Sequence, residues 1–220
     1  MKKILLALAA TAAVGAQAAT VSFQYGLPVA LSTTEINQTG NLGLFDSSLG
    51  TLTGATLSVT GGASFNFSGT NTAAQSQLAD ISSSTSLFWS SSLAAVQPFL
   101  ATIALSATSG AQNYAVGETK SFGPLADSQT DNDNLAAILG SLQAAGGGSF
   151  GLTCQSLSGL TVLGGGGNIN TTQNTQAGCG ASIVYEYTVA PPPVVPEPAS
   201  LALVGLALAG VAAASRRRKA

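Results

Sequence analysis

The chain contains no histidine, and only 7% of its 220 residues are charged, against roughly 25% in ordinary soluble domains. Without an imidazole there is no Ser-His-Asp or Cys-His machinery and no histidine-held metal. Two cysteines alone are too few for a zinc site. Ser-Lys chemistry would rest wholly on Lys120, which has no S-x-x-K around it. The glycine clusters at 146–148 and 164–167 are not followed by Lys-Ser/Thr, so they are turns rather than phosphate loops. Hydroxyls and amides stand where charge is missing: 26 Ser, 22 Thr, 10 Asn and 12 Gln.

The net charge of -2 conceals a sorting of charges along the chain. Lys2 and Lys3 open it, Arg216, Arg217, Arg218 and Lys219 close it, and Lys120 is the single cation between them. From Ala19 to Ala190 eight carboxylates face that one lysine, a net of -7. Nucleic acid is excluded as a partner, because phosphate binding needs clustered Lys and Arg and the interior has none. No cofactor is expected.

The basic ends read as addresses. Met1-Lys2-Lys3, the apolar run Ile4 to Ala16 and the A-x-A triplet Ala16-Gln17-Ala18 are the three parts of a secretory signal peptide, residues 1–18, with the mature chain starting at Ala19 or Thr20. Residues 199–215 are uncharged and rich in leucine and alanine, at the lower length limit for a transmembrane helix. The basic tail 216–219 follows as a stop-transfer signal, which keeps the C-terminus cytoplasmic and the domain before it exported. Ala190 to Pro198 holds five prolines in nine residues, an extended stretch unable to continue a helix.

Val195-Pro196-Glu197-Pro198-Ala199-Ser200, then an apolar helix, then a terminal arginine cluster, closely resembles the PEP-CTERM sorting signal of Gram-negative bacteria. The resemblance assigns 195–220 to the signal and 191–198 to a proline-rich linker. It implies an exosortase, together with the export machinery and the membrane, as partners, with a cut near Pro196 to Pro198. Glu197 is then a recognition residue of a substrate. The implied destination is transient anchoring in the inner membrane, then the cell surface or an exopolysaccharide matrix, with exopolysaccharide as a further partner.

Residues 19–190 read as an all-β domain. Period-two alternation recurs in Val21 to Tyr25, Val29 to Thr33, Thr56 to Thr60, Ser64 to Ser68, Thr102 to Ser106 and Ile183 to Val189. Leu78 to Ser92 is a further strand. Gly61-Gly62 is expected to be a two-residue hairpin between strands ending at Thr60 and starting at Ala63. One short helix is expected over Leu135 to Ala145, with Asp133 or Asn134 as N-cap and Gly146 to Gly148 as the stop. The expected architecture is an antiparallel β-sandwich, jelly-roll-like, with that helix, flanked by the N-terminal signal helix and the C-terminal transmembrane helix.

Phe45 to Leu52, running into the strand Thr53 to Thr60, resembles the opening motif of the choice-of-anchor E domain. The turn at Gly164 to Asn168 and the strand Ile183 to Thr188 resemble its closing segment. The chain departs from that pattern at Phe150-Gly151-Leu152-Thr153-Cys154. The resemblance brings no catalytic residues.

Three local features remain. Cys154 and Cys179 are the only cysteines, and an even count in an exported chain predicts a disulfide, with two buried free thiols as the alternative. Asp127, Asp131 and Asp133 lie in an oxygen-rich stretch that resembles a calcium loop only loosely, lacking the EF-hand's Gly and terminal Glu; a polar loop capping the next helix is the preferred reading. Trp89 either packs in the core beside Phe88 or stacks on a sugar. The expected function is that of a non-catalytic exported surface or matrix protein. A carbohydrate- or polymer-binding module in the same location is the alternative, distinguished by a solvent-facing row of Trp89, Tyr25, Tyr114 and Phe88.

Overall fold

The computed structural model describes residues 18–190 and 205–208. The chain divides into one unit of Gly15–Ala190 and another of Met1–Val14 with Pro191–Ala220. In the second unit only 205–208 are described, as helix. The expected signal helix and most of the expected span 199–215 lie outside the described residues. Among the described residues, no helix is long and apolar enough to cross a membrane.

Residues 18–190 are built from two five-stranded sheets. The first runs β1 (Ala18–Tyr25), β12 (Ile169–Val189), β5 (Gly50–Asn71), β9 (Thr119–Asn134), with β2 (Ser32–Thr33) also pairing β12. The second runs β3 (Asn37–Gly43), β11 (Ser149–Gly164), β6 (Gln77–Ser91), β7 (Ile103–Thr108), with β8 (Gln112–Tyr114) also on β6. Every pairing in both sheets is antiparallel. A small parallel pair, β4 (Phe45–Asp46) with β10 (Gln143–Ala144), sits apart. Numbering the eight long strands in chain order, the sheets read 1-8-3-6 and 2-7-4-5.

Strict alternation sets the two faces. On β5 the odd positions Leu57, Val59, Phe65 and Phe67 are buried while Thr56, Ser58, Thr60 and Ser68 face outward. On β12, Thr175, Ala177, Ile183 and Tyr185 point in. From the second sheet Ile81, Leu87, Trp89, Leu105 and Leu152 complete one core. The outward hydroxyls pair across strands: Thr60 with Thr130 at 2.9 Å, Ser68 with Thr172 at 2.7 Å and Thr70 with Thr119 at 2.8 Å. Such cross-strand pairs, each contributing a few tenths of a kcal/mol or more, are what the serine and threonine excess does in the fold.

Three expectations are corrected. Gly61 and Gly62 do not turn: β5 runs through them, opposite Cys179 and Gly178. Neither glycine has a positive φ, so the type I′ geometry of a two-residue hairpin is absent. Instead, a Cβ on Gly61 would run into the Leu87 side chain. Second, the helix over Leu135 to Ala145 is a 3-10 segment, Ala136–Ser141, broken at Ile138 and followed by β10. Asn134 does act near its start, accepting from the Ala136 N–H at 2.8 Å, but β5 offers backbone partners as far as Asn134 and holds the preceding residues extended. Third, Val29 to Thr33 contributes only Ser32–Thr33 as strand. Residues before it cross the outer side of the first sheet, where Gly178 and Gly180 leave room for Ala30 and Leu27.

Candidate functional site

Cys154 on β11 and Cys179 on β12 form the expected disulfide. Both are buried, and the bridge ties the second sheet to the first through their centres. Cys154 stands opposite Trp89 on β6, and Cys179 opposite Gly61 on β5. The bridge therefore lies in the core and is structural.

The stretch Asp127 to Asn134 is not a loop but the C-terminal half of β9, the edge strand of the first sheet. Because the strand alternates, Asp127, Asp131 and Asp133 all share the inward register with Ala63, Val59 and Leu57. Asp127 accepts from the Ser106 N–H at 2.9 Å, fastening β9 to the edge of the second sheet. Burial, then the neighbouring Asp131, raises the Asp133 carboxyl above its ordinary range. Strung along an extended strand, Asp127 and Asp133 are about 20 Å apart, too far to share one cation. Among the described residues no cluster of three His, Cys, Asp or Glu is placed to hold a metal. The aspartates instead guard an edge: inward charges, Pro124 and the register shift between Phe65 and Phe67 are devices that discourage strand addition.

The four aromatic residues that would mark a sugar platform do not form one. Tyr114 is fully buried, Trp89 is 6% exposed, and Tyr25 is half-buried with its ring over Gly40. Phe88 alone is open to solvent, at 43%. Trp89 thus takes the core position, but Phe88, its neighbour in sequence, points the other way. Two open polar grooves flank the first half of β12. One, of about 530 Å³, is lined by Thr33, Thr34, Ser158 and Gln173 to Thr175. The other, of about 400 Å³, is lined by Asn66, Ser68, Thr172 and Asn174 beside Phe122. Their linings offer hydroxyls, amides and one ring edge, groups that bind by hydrogen bonding and contact.

Two carboxylates missed by sequence reasoning organise loops. Asp46 Oδ1 accepts from the Ser48 N–H at 2.9 Å and the Gly146 N–H at 3.0 Å, pinning the turn after β4 to the glycine cluster. Glu35 Oε1 accepts from the Ser158 N–H at 2.9 Å. The Asp-x-Ser spacing of Asp46 and Ser48 was a readable Asx-turn signal; the contact of Glu35, 123 residues from Ser158, has no local signal. The Ser48 and Gly146 bonds, with the Ser48 hydroxyl, hold the Asp46 carboxyl below its usual range. Asp46 therefore stabilises the fold above the unfolded carboxylate pKa, and that contribution fades as pH falls through its lowered folded value. Asp133 works in the opposite sense, since its ionisation is disfavoured in the fold. A carboxyl NMR titration is expected to find Asp46 below and Asp133 above 3.8, the ordinary aspartate value; the reverse order would contradict the geometry of both sites.

The sequence-predicted processing residues fall elsewhere. Ala18 and Ala19 head β1, opposite Thr188 and Tyr187, so a cut after Ala18 leaves that strand nearly whole. Ala16, Val195 to Ser200 and Arg216 to Lys219 lie outside the described residues. No curated protein matches the chain. Residues 194–219 match the model of the PEP-CTERM protein-sorting motif. Those residues hold the Pro-Glu-Pro, the apolar run and the basic end in that order, and a sorting motif of this kind implies export, C-terminal anchoring in the membrane and processing by an exosortase.

Proposed function

We propose that this chain is a non-catalytic protein of the bacterial surface or extracellular matrix. It is exported by the signal peptide 1–18, held for a time by the apolar segment 199–215 with its basic stop Arg216 to Lys219, and released when an exosortase cuts near Pro196 to Pro198. The observation that carries this reading is the sorting motif at 194–219. The prolines of 190–198 bring no backbone donors of their own, which suits entry into a protease groove. The disulfide supports an oxidising destination. For residues 19–190 we propose a jelly roll of the choice-of-anchor E kind. The strand order 1-8-3-6 and 2-7-4-5, with two consecutive strands adjacent only at 4-5, supports the double Greek key.

The intact mass of the surface-associated protein tests the reading. Loss of the residues after the motif is expected in a strain with a working exosortase, and Glu197→Ala is expected to leave the chain uncut. Recovery of a wild-type surface species still ending at Ala220 would overturn it.

The alternative, a carbohydrate- or polymer-binding module, is favoured by one feature, the charge-free groove of Asn66, Ser68, Thr172 and Asn174 beside Phe122. The buried state of Trp89 and Tyr114 weighs against it. A glycan array probed with the full chain separates the two, since binding lost in Asn174→Ala would favour the module.

A further inference from the structure

One flank of the second sheet is unguarded. β3 accompanies β11 only as far as Asn37, opposite Gln155. Just beyond, the Ser156 N–H donates to the Ile36 carbonyl at 3.2 Å and the Ser158 N–H to Glu35. After Ser158, among the described residues, no strand lies on that side, although β6 holds β11 extended as far as Gly164 on the other. In an antiparallel sheet the N–H and C=O of one residue point to the same flank and alternate along the strand. The polar groups of Leu160 and Val162 therefore face the open side, as those of Ser156 and Ser158 do.

The residues along this flank are Leu157-Ser158-Gly159-Leu160-Thr161-Val162-Leu163, with no charge and no proline. Leu157 is 62% and Leu163 76% exposed, both on the outer face. The edge of the first sheet at β9 carries three inward aspartates and a proline, and β1 and β3 carry no exposed large hydrophobic side chain. Leucine stands at the first, middle and last place of the seven. If two copies of this run lie antiparallel with Leu160 opposite Leu160, then Leu157 of each faces Leu163 of the other and Ser158 faces Val162. The run is thus self-complementary, as a two-fold interface requires. Charge points the same way: with eight carboxylates against one lysine over 19–190, two copies repel except where the surface is neutral. The nearest carboxylates are engaged by their own chain, Asp80 with the Thr108 hydroxyl at 2.6 Å and Glu35 with Ser158.

We propose that residues 157–163 of β11 form a self-association edge, through which two copies of this chain pair antiparallel about an axis at Leu160 and continue the second sheet from one copy into the other. Leu160 exchanges both bonds with its counterpart; the Glu35 carboxylate holds the place at the Ser158 N–H that the Val162 carbonyl of the other copy would take, so the outer Val162–Ser158 bonds form as Glu35 turns aside. The four exposed leucines, two from each copy, are covered together.

The test uses the full chain in detergent micelles, with the protein mass measured by light scattering. The wild type is expected to be dimeric at micromolar concentration. Leu157→Lys with Leu163→Lys, which sets lysine opposite lysine at both ends of the run, is expected to weaken association about tenfold or more; both side chains are exposed, so the fold tolerates them. Mild oxidation of Leu160→Cys is expected to give a covalent dimer, because opposed Cα atoms in a hydrogen-bonded pair lie about 5.5 Å apart. Val162→Cys is expected to give none, its counterpart being about 13 Å away along the strands. A monomeric wild type, a dimer that survives the double lysine substitution, or coupling through Val162→Cys as ready as through Leu160→Cys would each overturn the proposal.

Discussion

Removing the bridge, by Cys154→Ala together with Cys179→Ala, is expected to cost residues 18–190 about 3.5 kcal/mol, the chain-entropy value for a closed loop of about 26 residues. For a domain of this size that corresponds to a fall of about 10 °C in Tm. The size of the effect follows from where the bridge lies. β11 and β12 belong to different sheets, so no backbone hydrogen-bond ladder joins them, and the segment between them turns on Gly165, Gly166 and Gly167, all with φ in the left-handed region. Glycines lose the most freedom on ordering, and the bridge lowers that loss by restricting the unfolded chain. Thermal unfolding with and without reductant provides the check. The reduced wild type should match the double variant; a Tm indifferent to reductant would show that the sheets are held without the bridge.

The second large effect is expected at Gly61. It lies on the inner face of β5, opposite Cys179, and a Cβ there would collide with Leu87 and come within 3.2 Å of Ile103. Leu87 is fully buried, so it has no room to retreat, and Gly61→Val is expected to cost about 2 to 3 kcal/mol by overpacking. Gly62 is the control. Its Cβ would meet Val29 and Leu31 at 3.5 and 3.6 Å, ordinary contact distances, and its φ is not positive. Gly62→Ala is therefore expected to be neutral or to stabilise by a few tenths of a kcal/mol. Chemical denaturation of the pair distinguishes a continuous strand from a hairpin, because a type I′ turn would penalise both substitutions alike.

These two glycines show why part of the fold was legible and part was not. Alternation revealed Thr56 to Thr60 and Ser64 to Ser68 as strands with the correct inner faces, because burial on one side of a sheet imposes period two on neighbouring residues. Gly61-Gly62 breaks that pattern in the same way whether the chain turns or merely makes room. The deciding fact is Leu87, on another strand of the other sheet. Asp127 to Asn134 misled for a related reason. Its polar residues resemble a loop, but β5 is long enough to pair with all of them, and an edge strand tolerates inward carboxylates that a central strand would not. The expected helix over Leu135 to Ala145 met the same constraint at its start: its expected N-cap residues, Asp133 and Asn134, are committed to the ladder, and a broken 3-10 segment follows.

By itself the sequence determined the all-β character of 19–190, the Cys154–Cys179 pairing and the sorting motif at 194–219. Each rests on local order or on counting: period-two alternation, an even pair of cysteines in a chain read as exported, and three signal parts in fixed succession. Only the tertiary structure decided which carboxylates are engaged, that Trp89 and Tyr114 are interior, and that among the described residues the 157–163 flank of β11 is open while β9 is guarded. Those depend on which strands become neighbours across distances of 100 residues or more in the chain, as Glu35 with Ser158 and Asp46 with Gly146 do, and nothing in the local pattern encodes that choice.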